Sequence, residues 1–227
     1  MRLGSFHSVI VLIALFAFAA CNGDDGGVMN GNFKSVGSCD ILIDEFNLNG
    51  ENKAVQAYDE YTSVTFINEN GDRIEFNVGN PVTRISEGIF EDPDSTLFCF
   101  SNESIETILS STAGLEFTVL LEAKAYFADL TANQSADVLK VFYNDVNDEM
   151  NARRIVFRKV LDIKNYPTTL YETTQVVASR TFIDREFKNV EFTNFNTPII
   201  IVYYNDELGI IAFVDEEGVL WEFEAKI

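Results

Sequence analysis

Apolar and polar side chains alternate along much of this chain. In RIEFNV (Arg73–Val78), Ile74, Phe76 and Val78 fall on one side of an extended backbone, and Arg73, Glu75 and Asn77 on the other. A period of two is that of a strand with one buried face. TSVTFIN (Thr62–Asn68) comes just before it, joined through Glu69-Asn70-Gly71-Asp72. An Asn-Gly step tolerates positive φ, so this stretch predicts a tight hairpin. LEFTVLLEAKAYF (Leu115–Phe127) predicts one long or bent strand, with Leu120 and Tyr126 as exceptions to its alternation. VLKVFYN (Val138–Asn144) and RRIVFRKV (Arg153–Val160) flank a turn-like NDVNDEMNA.

The last third reads as a meander. VEFTNF (Val190–Phe195), PIIIVYY (Pro198–Tyr204), LGIIAFV (Leu208–Val214) and VLWEFEA (Val219–Ala225) are separated only by short polar or glycine turns. A helical period is scarce. NKAVQAYDEY (Asn52–Tyr61) predicts a short helix, and NESIETILSS (Asn102–Ser111) a helix or a strand. Strands every eight to twelve residues or so predict an all-β fold, an antiparallel β-sandwich or partly open barrel with one or two short helices. No repeat, biased tract or proline-rich linker divides residues 38–227, which therefore read as a single all-β domain.

The pattern changes toward the amino terminus. After Arg2, VIVLIALFAFAA (Val9–Ala20) carries no charge and stops at Cys21. At ~1.5 Å per residue that run covers roughly 18 Å of helix, well short of a ~30 Å hydrocarbon core. Residues 1–20 thus read as a secretory signal peptide, with small residues where a peptidase must enter. Residues 21–37 read as a flexible linker behind the cysteine, rich in Gly, Asn and Asp.

Phe18-Ala19-Ala20-Cys21 resembles a bacterial lipobox, with Phe18 where leucine is commoner. The resemblance implies that Cys21 is diacylated and becomes the new amino terminus; ordinary cleavage after Ala20 would leave a free thiol instead. Acyl chains contribute about 0.8 kcal/mol per buried methylene, so two or three hold a protein at a bilayer. Asn22-Gly23-Asp24-Asp25 is similar to the acidic export signal of surface lipoproteins of Bacteroidota. It implies an outer-membrane lipoprotein exposed at the cell surface, a periplasm-facing one being the alternative. YYNDELGIIAFVDEEGVLWEF (Tyr203–Phe223) resembles a closing pattern of uncharacterised Bacteroidota (flavobacterial-type) lipoproteins, which bring no activity with them.

Composition narrows the function classes. Without Arg2 the 16 basic residues become 15, against 36 acidic. Such a balance opposes nucleic-acid binding, which needs Lys and Arg clusters, and opposes attraction to an anionic bilayer. The single histidine, His7, falls within the signal peptide. A mature chain without imidazole lacks Ser-His-Asp and Cys-His catalysis and histidine-based metal sites. Paired carboxylates of the glycosidase kind and oxygen-ligand calcium sites survive that exclusion, but no pair among the 36 acids stands out, and no catalytic residue, metal site or cofactor is assigned. Cys39 and Cys99 make an even pair that predicts a disulfide in an oxidising compartment, two unpaired cysteines being the alternative.

Local candidates have bland readings. NDVNDE (Asn144–Glu149) spaces Asp145, Asn147 and Glu149 like a calcium loop, but Met150 stands where an EF-hand loop turns on glycine. EDPDS (Glu91–Ser95) and Asp215–Glu217 read as turns. Tyr58, Tyr61, Tyr166 and Tyr171 lie in irregular segments, where tyrosines stack on sugar rings or pack over sheet edges. Two readings follow. One is a membrane-anchored envelope lipoprotein whose non-catalytic β domain binds a glycan, a peptide or an envelope protein. The other is a lipocalin-like or lipoprotein-carrier-like half-barrel holding an apolar ligand.

Overall fold

The Asn70-Gly71 step forms the hairpin its residues favour. Ser63–Asn68 (β2) and Arg73–Val78 (β3) pair antiparallel, with Ser63 opposite Asn77 and Gly71 at φ +84°. The computed structural model describes residues 41–55, 57–91, 97–126, 134–145, 153–164, 174–193 and 200–227. The chain divides between residues 38 and 39, and all of these belong to the second unit. The signal peptide, Cys21, the Asn22–Asp25 tract, the linker and Cys39 lie outside the described residues.

The described part is nearly all β. Its other strands are β1 (Ile41–Phe46), β4 (Val82–Glu91), β5 (Leu97–Ser111), β6 (Leu115–Tyr126), β7 (Gln134–Asp145) and β8 (Arg154–Lys164). They continue as β9 (Gln175–Thr181), β10 (Glu186–Phe192), β11 (Ile201–Asn205), β12 (Gly209–Val214) and β13 (Leu220–Lys226). One sheet runs β8-β7-β6-β5-β3-β2-β13-β12-β11-β10-β9, with β1 and β4 added along β5. All pairings are antiparallel except β1 with β5. The sheet curls into a half-barrel, the partly open barrel of the two expected forms.

Ring contacts show how far it curls. Phe117 on β6 and Phe213 on β12 are five strands apart along the sheet, yet their ring centroids lie 5.1 Å apart. Phe157 on β8 stacks on Tyr204 of β11 at 5.1 Å, across eight steps of the sheet. Phe66 and Phe76 complete the cluster, 5.2 and 6.1 Å from Phe213. All six side chains are buried. The two halves of the sheet thus meet through aromatic edges and faces, an arrangement that adds about 0.5–1.5 kcal/mol per pair beyond area burial.

Between β1 and β2 the chain lies across this core as a strap. Leu48 and Tyr58 are buried against it. Glu103 accepts from Leu48 N at 3.0 Å and from Lys53 Nζ at 2.6 Å. Asp137 Oδ2 accepts from Asn49 N at 2.8 Å and Asn52 Nδ2 at 2.7 Å. Among the described residues helix is limited to one turn, α1 (Gly50–Lys53), opened by the Asn49 side chain accepting from Glu51 N. The helix predicted over Asn52–Tyr61 is therefore corrected. The side chains of Asn52 and Lys53 bond to β7 and β5, and the Val55 carbonyl accepts from Tyr204 Oη on β11, so tertiary bonds hold this segment in turns where a longer helix was expected.

NESIETILSS lies within β5, the strand option of its two readings. β4 and β9 escaped the pattern because both are solvent-exposed along most of their length and have no buried face to alternate. By contrast, β11 and β12 read as continuous apolar runs because both faces are covered. The β9–β10 turn folds over their convex side. Glu222 Oε2 anchors that turn, accepting from the backbone N–H groups of Ile183, Asp184 and Arg185.

Cys99 is disulfide-bonded. Loss of a native disulfide from a small domain costs about 2–5 kcal/mol. Cys99→Ser is accordingly expected to lower stability by about 3 kcal/mol under oxidising conditions, read by denaturant titration. Fully reduced wild type should match the variant, and a variant as stable as oxidised wild type would show the bridge to be inconsequential.

Candidate functional site

The β11–β12 turn is NDELG, and its first residue shapes it. Asn205 Oδ1 accepts from Leu208 N at 2.7 Å, an Asx turn, while Gly209 adopts φ +80°. Asn205 Nδ2 donates to Lys188 O at 3.4 Å, tying the turn to β10. There β10 departs from regular extended backbone: Lys188 pairs with Ser179 and Val190 with Val177 in unshifted register, and between them Asn189 adopts φ +51°. The start of β10 and the turn enclose a half-open groove of about 420 Å³ lined by residues 186–189 and 205–208.

Its chemistry is mixed. Glu186, Asp206 and Glu207 supply carboxylates, Lys188 an ammonium, Asn189 and Asn205 amides, and Phe187 and Leu208 apolar surface. Fixed amides and carboxylates beside small apolar areas suit a hydroxyl- or amide-bearing ligand, and the excess of carboxylates opposes an anionic one. Sequence reasoning took Tyr203–Phe223 as hairpins and missed this groove. Its signal was the Asn-Asp-Glu-Leu-Gly turn; the positive φ of Asn189 opposite leaves no trace in the pattern.

Behind the groove an ion triad joins the two halves of the sheet. Lys159 Nζ on β8 lies 2.8 Å from Glu191 Oε1 on β10, and 2.8 and 2.9 Å from the two Asp206 oxygens. Next to it, Thr193 Oγ1 accepts from Arg158 N at 3.0 Å, and Thr174 Oγ1 donates to Arg158 O at 2.7 Å. At Arg158 the outward edge of β8, which pairs with no strand among the described residues, is thus satisfied by hydroxyls.

Burial lowers the Lys159 pKa, but the bonds to Asp206 and Glu191 outweigh it and the ammonium stays charged above its ordinary range. For Glu191 burial dominates and raises the carboxyl, against the bond and charge of Lys159; Asp206 adds to the rise. Lys159→Met should cost about 2 kcal/mol near neutral pH, because Glu191 is left buried without its cation. A lysine raised in the fold contributes fully below its unfolded pKa and loses that contribution as pH climbs through the folded value. The gap between wild type and Lys159→Met should therefore shrink from pH 10 upward in denaturant titrations. A gap independent of pH would contradict the triad.

The other sequence candidates fall as follows. Tyr58 is buried, and its hydroxyl accepts from Ile210 N at 2.7 Å, so it is core and not a sugar platform. Tyr61 lies under Lys226, whose Nζ sits 4.1 Å from the ring centroid and donates to its hydroxyl. Asp215 spends its carboxylate on its own hairpin, accepting from Glu217 N, Val219 N and Trp221 Nε1. Tyr166, Tyr171 and residues 92–95 and 146–150 lie outside the described residues. Among the described residues, no three His, Cys, Asp or Glu side chains converge as metal ligands. No helix among them is long and apolar enough to cross a membrane. No protein-family model matches the chain, and no curated protein or solved structure matches it either.

Proposed function

We propose that this chain is an outer-membrane lipoprotein, anchored through lipid at Cys21 and displayed at the cell surface, whose β domain binds its ligand from outside without catalysis. The observation that carries the binding mode is the filled concave side. Phe66, Phe76, Phe117 and Phe213 touch one another there and are at most 1% exposed. A carrier of apolar cargo needs open apolar volume at that place. The groove beside β10 offers the polar chemistry that a glycan, peptide or envelope-protein loop requires. The alternative, a half-barrel holding an apolar ligand, draws its support from the curl of the sheet alone.

The lipobox resemblance and the tract Asn22–Asp25 support the address. Cys21→Ser is expected to move the protein from the membrane pellet to the soluble fraction. Persistence in the membrane would refute lipidation. Protease added to intact cells should remove the wild-type protein, and full protection would refute display.

A further inference from the structure

Among the described residues, four of the six large apolar side chains that stand exposed lie on β4 or beside it: Val82 (44%), Ile85 (70%), Ile89 (47%) and Ile108 (39%). β4 pairs with β5 over its whole length, Val82 opposite Glu106 through Glu91 opposite Leu97, without interruption. Among the described residues it has no partner on its other side. A strand of ten residues with a free ladder edge is a template for another strand, unless charge or covering prevents it.

Alternation assigns the faces. Ile85, Glu87 and Ile89 point to one side, and Val82 with neighbouring Ile108 to the other. A bilayer surface would meet only one of these faces, and on the first it would meet a carboxylate between two isoleucines. An added strand touches both. A second copy of this chain fits poorly. Antiparallel pairing that sets Ile85 against the partner's Ile89 sets Glu87 against the partner's Glu87, and like charges directly opposite destabilise. The net charge of −20 adds long-range repulsion between copies. Among the described residues the Glu87 side chain has neither ion pair nor hydrogen bond, which leaves its carboxylate open to a cation from outside.

We propose that β4 is a docking strand for an extended segment of a partner polypeptide with the alternating pattern apolar-x-basic-x-apolar, added antiparallel. Its apolar residues cover Ile85 and Ile89, and its lysine or arginine faces Glu87. Backbone hydrogen bonds along the edge supply affinity, and the three side chains supply the choice of sequence. The inference rests on the reading of the β domain as a module that binds from outside, and names polypeptide as one partner class.

The test uses the full chain, labelled with ¹⁵N, and two capped nonapeptides, TTVTKTVTT and TTVTETVTT. Binding is read from β4 amide shifts and their hydrogen exchange. The lysine peptide should bind roughly tenfold tighter than the glutamate peptide and protect the β4 amides. Glu87→Lys should reverse the preference, and Ile85→Thr with Ile89→Thr should weaken both peptides; these side chains are exposed, so the fold is retained. No binding, equal binding, or an unchanged preference in Glu87→Lys would overturn the proposal and leave the outside-binding reading untouched. Fatty acid inside the half-barrel would overturn that reading without moving β4 shifts.

Discussion

Gly209→Ala is expected to lower the unfolding free energy by about 3 kcal/mol, chiefly by evicting a tyrosine. Gly209 adopts φ +80°, and a Cβ there would lie 2.3 Å from Tyr58 Oη and 2.4 Å from its Cζ. The backbone conformation alone costs about 1–2 kcal/mol for an L side chain. The rest comes from Tyr58, which is 1% exposed and bonds Ile210 N through its hydroxyl. Gly218 separates the two contributions, since it has φ +81° and nothing within 4 Å of its Cβ position. Gly218→Ala should therefore cost only about 1 kcal/mol. Tyr58→Phe should cost about 1–2 kcal/mol, the price of an unpartnered buried N–H. Equal losses in the two glycine variants, read from denaturant midpoints, would mean that the strap does not press on β12.

Phe213→Ala is expected to cost about 4 kcal/mol, as large-to-small changes do when the surrounding rings cannot close the gap. Phe213 touches Phe66, Phe76, Phe117 and Trp221, with centroids between 5.1 and 6.2 Å. Those partners stand on β2, β3, β6 and β13, so the cavity would open between the two halves of the sheet. Phe213→Leu, which refills most of the volume, should cost about 1.5 kcal/mol. A loss below about 1 kcal/mol for the alanine variant would contradict the close approach of β6 to β12.

Much of this fold could be read from residue order, where one physical cause governs each stretch. Asn70-Gly71 specifies its hairpin locally, and Ile74, Phe76 and Val78 alternate because β3 has one wet face. The unbroken apolar runs of β11 and β12 could be called strands, but the cover that makes them so, a turn held by Glu222, comes from a distant part of the chain. Tyr58 looked like a loop aromatic because its burial depends on a glycine far along the sequence. The groove was illegible for the same reason: it needs a positive φ at Asn189 and a turn at Asn205 brought together by the sheet. β4 gave no alternation because neither of its faces is buried, which is also why its isoleucines stand out once the fold is known.

Titration of the purified full chain with cis-parinaric acid, a fluorescent fatty acid, tests most directly whether this half-barrel binds from outside. With the concave side filled by Phe66, Phe76, Phe117 and Phe213, fluorescence should rise only linearly with added acid, without saturation. Saturable one-to-one binding, accompanied by shifts at the amides of those four residues, would contradict it and make the half-barrel a carrier.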